Sequence, residues 1–301
     1  MYGSWRCVFI ILLFFIIKMS KLLNNIWIVN LDRSEERMTN IKKNFQSLNV
    51  TYNRFSAIDG KHVLNNKNIS NVCKYLLCNP SMIGCNLSHK TLWKQLIESN
   101  EDAYIILEDD MLLNEKFIRI LPMIELCMSK YKIDVLNLNC SIDINCTLKR
   151  KEFIIEDIAF GKPYAPLSTC AYIITKQGAS KLLSKLSNAY YHVDFEILMV
   201  RDNLINYYTC NPPLLSIDYQ FNTTLASKKP LIFIKLLETL RLKETAWLLN
   251  VPLLTICYKF EINLYFVFLC VLLCINILKS NNIYIYIYIG IELCIYILYS
   301  F

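Results

Sequence analysis

The pattern of apolar and polar positions divides the chain into a body, where short apolar runs alternate with helical periodicities, and two ends that are apolar almost throughout. Ile26 to Leu31 (IWIVNL) is a β-branched, apolar run of the kind that fills a buried parallel strand. DRSEER breaks that run and opens a charged, helix-like stretch through Leu48, and Asn53 to Ile58 predicts a second short strand closed by the turn signal Asp59-Gly60. Residues 61–82 are polar and irregular, with Asn79-Pro80 near their end, and from Gly84 a helical pattern runs through Leu87, Leu92, Trp93, Leu96 and Ile97. Tyr104 to Leu107 (YIIL) predicts a buried strand that leads straight into three acids. Val135 to Leu138 and Ala171 to Thr175 predict two more strands, the second followed by a helix from Gly178 to Leu186 with Ala179, Leu182, Leu183 and Leu186 on one face. Strands alternating with helices predict an α/β fold with a mostly parallel sheet, in which ligands bind beyond the C-terminal ends of the strands.

The ends follow other rules. Val8 to Ile17 is an unbroken apolar run between Arg6 and Lys18, shorter than the ~20 residues of a bilayer span. It fits a signal-peptide core or a short anchor, and a start at Met19 would remove it altogether. At the other end, Ile262 to Leu278 and Ile283 to Phe301 are interrupted only by Asn263, Asn276 and Glu292, with Lys279 to Asn282 between the two runs. They read literally as a helical hairpin in a membrane, while IYIYIYI is also what a repeated TATATA tract encodes. Lys228 to Leu249 reads as an amphipathic helix, against a membrane surface or against the body.

Composition sharpens this picture. With 301 residues, 54% of them hydrophobic and a positive mean hydropathy, the chain has room for one enzyme-sized domain and more apolar residues than an ordinary soluble protein carries. A net charge of +7 without a dense Lys/Arg stripe suits an anionic diphosphate or a membrane surface and argues against nucleic acid as a partner. Thirteen cysteines contain no CxxC pair and define no disulfide framework. Six Asn-x-Ser/Thr sites, at Asn49, Asn68, Asn86, Asn139, Asn145 and Asn222, are open to glycosylation in a lumenal protein.

Three clusters could carry chemistry. Glu108-Asp109-Asp110 puts three carboxylates on the end of an apolar strand, where desolvation and mutual repulsion are costly unless a cation or a set of donors compensates. An isolated EDD is most often a solvated acidic turn; the apolar run before it shifts the reading to a hard divalent metal. In Met82 to His89 a glycine begins a helix with Ser88 and His89 in its first turns, where an anion is favoured, although a lone His is more often structural. In Tyr191 to Glu196, Asp194 and Glu196 are candidates for the base that accepts an acceptor hydroxyl's proton, and His192 for a further metal ligand; a helix-capping role is as common for any one of them.

Taken in order, IWIVNLDRSEER, FSAIDGK, GCNLSHKTLW, YIILEDDM, AYIITKQGASKLL and YHVDFEIL with NPPLLSIDYQFNTTLAS resemble glycosyltransferase family 25, the lipopolysaccharide-biosynthesis and procollagen-galactosyltransferase group, from Ile26 to Ser227. The resemblance implies a GT-A-type Rossmann-like sheet, a UDP-sugar donor, frequently UDP-galactose, Mn²⁺ or Mg²⁺, and inversion at the anomeric carbon. It implies a glycan, glycolipid or protein as acceptor. It makes Asp110 the foremost metal ligand, with Glu108 beside it. It also makes Asn30, Arg33, Arg37, Asp59, Gly84, Ser88, His89, Glu108 and Asp109 donor contacts, and Asp194 the late acid near the acceptor. The expected organisation is an N-terminal hydrophobic segment (1–24), a glycosyltransferase domain (25–227), an amphipathic helical extension (228–261) and two hydrophobic segments (262–301) in a membrane-associated protein. Two other readings stay open: a catalytically silent, membrane-anchored binding module that keeps the fold, and a metal-dependent phospho- or nucleotidyltransferase, of which the lack of GxxxxGK[ST] excludes only the P-loop kind.

Overall fold

A computed structural model describes residues 20–139, 147–164, 168–218, 220, 231–250, 252–256 and 260–298. The elements are β1 (Ile26–Asn30), α1 (Glu35–Ser47), β2 (Asn53–Ser56), α2 (Pro80–Glu98), β3 (Ala103–Glu108), β4 (Met111–Leu112), α3 (Glu115–Lys130) and β5 (Val135–Asn137). They continue with β6 (Leu148–Ile155), β7 (Ile158–Pro163), β8 (Ala171–Thr175), α4 (Lys176–Lys185), α5 (Val193–Leu204), β9 (Tyr207–Asn211) and β10 (Ser216–Ile217). The last are α6 (Ile232–Thr239), α7 (Lys243–Asn250), β11 (Pro252–Ile256), β12 (Phe260–Asn263), α8 (Leu264–Ile275) and α9 (Ile283–Leu298). Two compact units share these elements. One takes the described residues up to Ile58, Leu87–Ser187 and Val193–Phe221, and the other takes Asp59–Asn86, Asn188–His192 and the described residues from Asn222 on.

The first unit is built on an eight-stranded sheet of order β2-β1-β3-β8-β5-β9-β7-β6. β2, β1 and β3 run parallel, β8 reverses between β3 and β5, β9 is parallel to β5, and β7 reverses again before β6, so that six of the eight strands point one way. The predicted mostly parallel sheet is present, with two reversed strands that the alternation of strands and helices did not reveal. Its centre is apolar on both faces, as a sheet covered on both sides requires: Tyr104 to Leu107 and Ala171 to Ile174 are all buried.

Helix faces cover this sheet. In α1, Ile41 and Phe45 stand one turn apart and are buried, while Glu35 and Glu36 place negative charge on the positive end of the helix. In α3, Phe117, Ile120, Leu121, Ile124 and Met128 form the buried stripe, and Asn114 accepts the Phe117 N–H at 2.8 Å as its cap. Thr175 caps α4 by accepting from Gly178 N at 3.0 Å. Gly178 is required at that point, because a Cβ there would stand 2.5 Å from the Asp134 carbonyl oxygen.

α2 begins earlier than the sequence pattern indicates. Asn79 Oδ1 accepts the Met82 N–H at 2.9 Å and Pro80 takes the first helical position, where its missing N–H costs nothing. The "irregular" Asn-Pro is therefore the start signal. Gly84 lies inside the helix, and Ser88 and His89 are buried in its third turn, away from any anion-binding first turn.

In the second unit Gly60 approaches Pro80 so closely that a Cβ would lie 1.6 Å from the Pro80 carbonyl oxygen. Cys73 and Cys78 are joined by a disulfide. The stretch read as one amphipathic helix from 228 is two helices, α6 and α7, broken where Arg241 adopts φ 63°. α8 and α9 occupy the two C-terminal apolar runs, and among the described residues no helix is long and apolar enough to cross a membrane. Glu292, on α9, is buried and accepts the N–H groups of Ile232 (3.3 Å) and Phe233 (2.9 Å) at the start of α6. The Val8 to Ile17 run lies outside the described residues.

Candidate active site

The acid cluster sits where the parallel strands end. β1 and β3 are in register with Val29 opposite Glu108, so the next residue of each chain, Asn30 and Asp109, are neighbours at the C-terminal edge of the sheet. Asn30 Nδ2 donates to Asp109 Oδ2 at 2.7 Å and to the Ser34 carbonyl at 3.1 Å, and Asn30 Oδ1 accepts from Arg54 Nε at 3.0 Å. Arg54 is itself paired with Asp32 at 2.5 Å, and Ser56 Oγ donates to the same carboxylate at 2.8 Å. Those hydrogen bonds from Ser56 and Arg54 hold the exposed Asp32 carboxyl below its usual range.

Arg37, in the first turn of α1, closes the cluster from the other side, with Nη1 2.5 Å from Asp109 Oδ1 and 3.4 Å from Asp110 Oδ2. Burial pushes the Asp109 carboxyl above the ordinary carboxylate range, against the pull of Arg37 and Asn30. For Arg37 the balance goes the other way: burial disfavours its charge, but Asp109, Asp110 and Glu108 outweigh it and raise its pKa. Asp110 is pushed up to about 7, first by burial and then by the neighbouring Glu108 charge, only partly offset by Arg37. Asp109 and Asp110 thus share the Arg37 guanidinium, with Asp109 at the shorter distance.

His89 faces the same acids from α2. Its Nδ1 lies 2.9 Å from Tyr172 Oη, which also accepts from Trp93 Nε1 at 2.9 Å, and this fixes the ring with Nε2 3.8 Å from Glu108 Oε1. That buried Nε2 has no hydrogen-bond partner among the described residues. The buried imidazole nitrogen beside the Glu108 carboxylate is a donor pair that a divalent cation could use.

Asp194 and Glu196 lie in the first turn of α5. Burial raises the Cys170 thiol well above its usual pKa, and the charges of Glu108, Asp110 and Asp194 add to the rise. Glu196 is buried in an ion pair with Lys90, 2.5 Å away, so its carboxylate is spent on α2. Burial lowers the Lys90 pKa despite that partner. Ser88 is also committed, its Oγ accepting the Ile58 N–H at 2.8 Å, and Arg33 is exposed on the turn between β1 and α1.

Of the other expected site residues, Asp59, Gly84 and His192 are part of the second unit. There, Asp59 caps a short turn by accepting from Lys61 N at 3.1 Å, with His62 Nε2 4.0 Å from its other oxygen. Asp218 is a buried acid that the sequence reading did not single out. Strand β10 pairs with β4 and puts the Asp218 N–H on the Asp110 carbonyl at 2.7 Å, while Asn40 Nδ2 donates to Asp218 Oδ2 at 2.5 Å. Its only signal in the sequence is its place in the SIDYQF block.

Comparison with known proteins gives the family. The chain is 27% identical over 177 residues to a glycosyltransferase 25 family member of Aedes aegypti, covering 54% of this chain and 28% of that protein. It is 31% identical over 99 residues to a glycosyltransferase 25 family member of Anopheles gambiae, covering 30% of this chain and 17% of the relative. It is 25% identical over 99 residues to procollagen galactosyltransferase 1-B of Xenopus laevis, covering 29% of this chain and 16% of the relative. The matches thus span less than a third of the relatives' own length. The sequence model of glycosyltransferase family 25 (LPS biosynthesis protein) matches residues 23–197, a stretch that holds β1, β3 and all three acids of the cluster. This chain belongs to glycosyltransferase family 25.

Proposed function

We propose that the chain transfers a sugar from a UDP-sugar to a hydroxyl on a glycan, glycolipid or protein, with inversion and with a divalent cation, Mn²⁺ or Mg²⁺, held at Asp110, Glu108 and His89. The observation that carries the reading is the crowding of Glu108, Asp109 and Asp110 at the sheet edge, with the Asp110 carboxyl raised to about 7 by burial and by Glu108, and with His89 Nε2 3.8 Å from Glu108 Oε1. A cation there would neutralise charge developing on the departing nucleoside diphosphate. Asp109, clamped by Asn30 and Arg37, sets the position of its two neighbours, and the exposed Arg33 on the adjoining turn would contact the diphosphate. Asp194 is the acid left to accept the proton of the attacking hydroxyl, since Glu196 is engaged by Lys90. Galactose is the sugar to try first, from the name of the Xenopus relative.

The test is UDP release from a panel of UDP-sugars with and without Mn²⁺. Metal-dependent release that Asp110→Ala abolishes supports the proposal. No release from any donor, or release indifferent to both metal and Asp110→Ala, rejects it and leaves the silent binding module as the better account.

We also propose association with a membrane surface without crossing it. Support comes from the exposed apolar side chains of α8 and α9, among them Val271, Ile275, Tyr284, Ile287 and Leu298. Flotation of the full chain with lipid vesicles tests this, and recovery only in the unbound fraction rejects it.

A further inference from the structure

The fold sorts the six Asn-x-Ser/Thr sites. Asn86 and Asn139 are buried and spend their amides inside the protein, donating to the Tyr191 carbonyl at 2.8 Å and to the Leu215 carbonyl at 2.5 Å. Asn68 is half-buried, its backbone tied to Asn66 Oδ1 and to Ala189 N at 2.8 and 2.7 Å beside the Ile69–Ala189 bridge. Asn145 and Asn222 lie outside the described residues. Asn49 is different. It is exposed, follows the last turn of α1, and adopts φ 52°, with its own N–H on the Gln46 carbonyl and the Val50 N–H on the Phe45 carbonyl, both at 3.1 Å. Those two bonds end the helix, and Asn is among the few residues that accept a left-handed conformation readily. Helix termination alone explains Asn49. It does not call for a threonine two residues on, and Thr51 is exposed as well.

A second, separate observation concerns the compartment. Cys73 and Cys78 are fully buried and disulfide-bonded. Structural disulfides persist in secretory and extracellular spaces and are rare in the cytosol. Asn-x-Thr sites are glycosylated in that same secretory route.

We propose that Asn49 carries an N-linked glycan, added in the oxidising compartment where Cys73 and Cys78 are joined. In that step Asn49 Nδ2 bonds to the anomeric carbon of an oligosaccharide carried on a polyprenyl diphosphate. The bond from that carbon to the diphosphate oxygen breaks, the polyprenyl diphosphate leaves with the electron pair, and the amide gives up one proton. The two thiols pass two electrons and two protons to a disulfide oxidant of the compartment. Neither step depends on the proposed sugar transfer.

The experiment expresses the full chain in cultured mammalian cells, treats it with peptide N-glycosidase in ¹⁸O-labelled water, and maps peptides under non-reducing conditions. The expected result is a labelled Asn49 converted to Asp, with Cys73 and Cys78 linked. Thr51→Ala should remove the gel shift at this site and leave the melting temperature within a degree or so, because Asn49 remains to end the helix. Unmodified Asn49 in molecules with the Cys73–Cys78 link overturns the proposal, as does a chain with both thiols free and no glycan. Label at Asn86 or Asn139 in the folded protein overturns the sorting by burial.

Discussion

Asn30 and Asp109 are joined across the ends of two parallel strands by a 2.7 Å hydrogen bond, and both side chains are buried. The Asn30 amide uses both of its donors, on Asp109 and Ser34, and accepts from Arg54, so no isosteric replacement preserves all three bonds. Asn30→Asp replaces a donor with an acceptor against a buried carboxylate. A loss of about 2–3 kcal/mol is expected at pH 8 in urea unfolding, with a smaller loss at pH 5, where one of the two carboxyls is protonated.

Asp110 gives the cluster a pH dependence whose sign follows from its raised pKa. Its folded value, about 7, lies above the 3.8 of the unfolded chain, so its contribution to stability is full below about pH 4 and is lost as pH rises through 7. Asp110→Asn should therefore unfold at higher temperature than the parent at pH 8, by a few degrees, and match it at pH 4. Mn²⁺ should raise the parent's melting temperature more at pH 8 than at pH 5.5 and leave the variant unmoved. Thermal shift at the two pH values checks both; an equal response to Mn²⁺ at both would count against metal binding at Asp110.

Lys90 and Glu196 form a pair sealed from water, and removing one partner strands the other. Lys90→Met is expected to cost about 3–5 kcal/mol, and the double variant Lys90→Met with Glu196→Leu to recover most of it. If Glu196 were instead the acid that serves the acceptor, the double variant would fold and lose turnover by a factor of about 10² or more.

Gly60→Ala tests packing in the second unit. Its new Cβ would meet the Pro80 carbonyl oxygen at 1.6 Å, and backbone on both sides leaves no flexible side chain to yield. A loss of about 2–4 kcal/mol in urea unfolding is expected, well beyond the ~0.5 kcal/mol of an ordinary surface substitution.

Buried apolar runs such as IWIVN and AYIILE were legible because a strand covered on both faces must be apolar throughout. Strand β6 (LKRKEFII) was not, because it lies at the end of the sheet, where Lys149, Arg150 and Lys151 are exposed and the apolar signal is diluted. The acid triplet and Asn30 could be read together, since both end strands. The engagement of Glu196 by Lys90 could not, because it depends on how two helices distant in sequence pack. Asn79-Pro80 carried a helix-start signal that its polar surroundings masked, and missing it put Ser88 and His89 in the wrong turn.

Glu292 changes what the Ile/Tyr-rich tail is. Counted along the sequence it is a blemish in an apolar run; in the fold it is the acceptor for two backbone donors that open α6, 59 and 60 residues away. Tyr296 reinforces it by donating to the Glu261 carbonyl at 2.5 Å, and Tyr288 by bonding Tyr265 at 2.9 Å. The apolar tail thereby acts as a splint for the chain that precedes it. Cutting the protein after Asn282, or replacing Glu292 with Leu, should raise amide hydrogen exchange at Ile232 and Phe233 well before the strands of the sheet are affected.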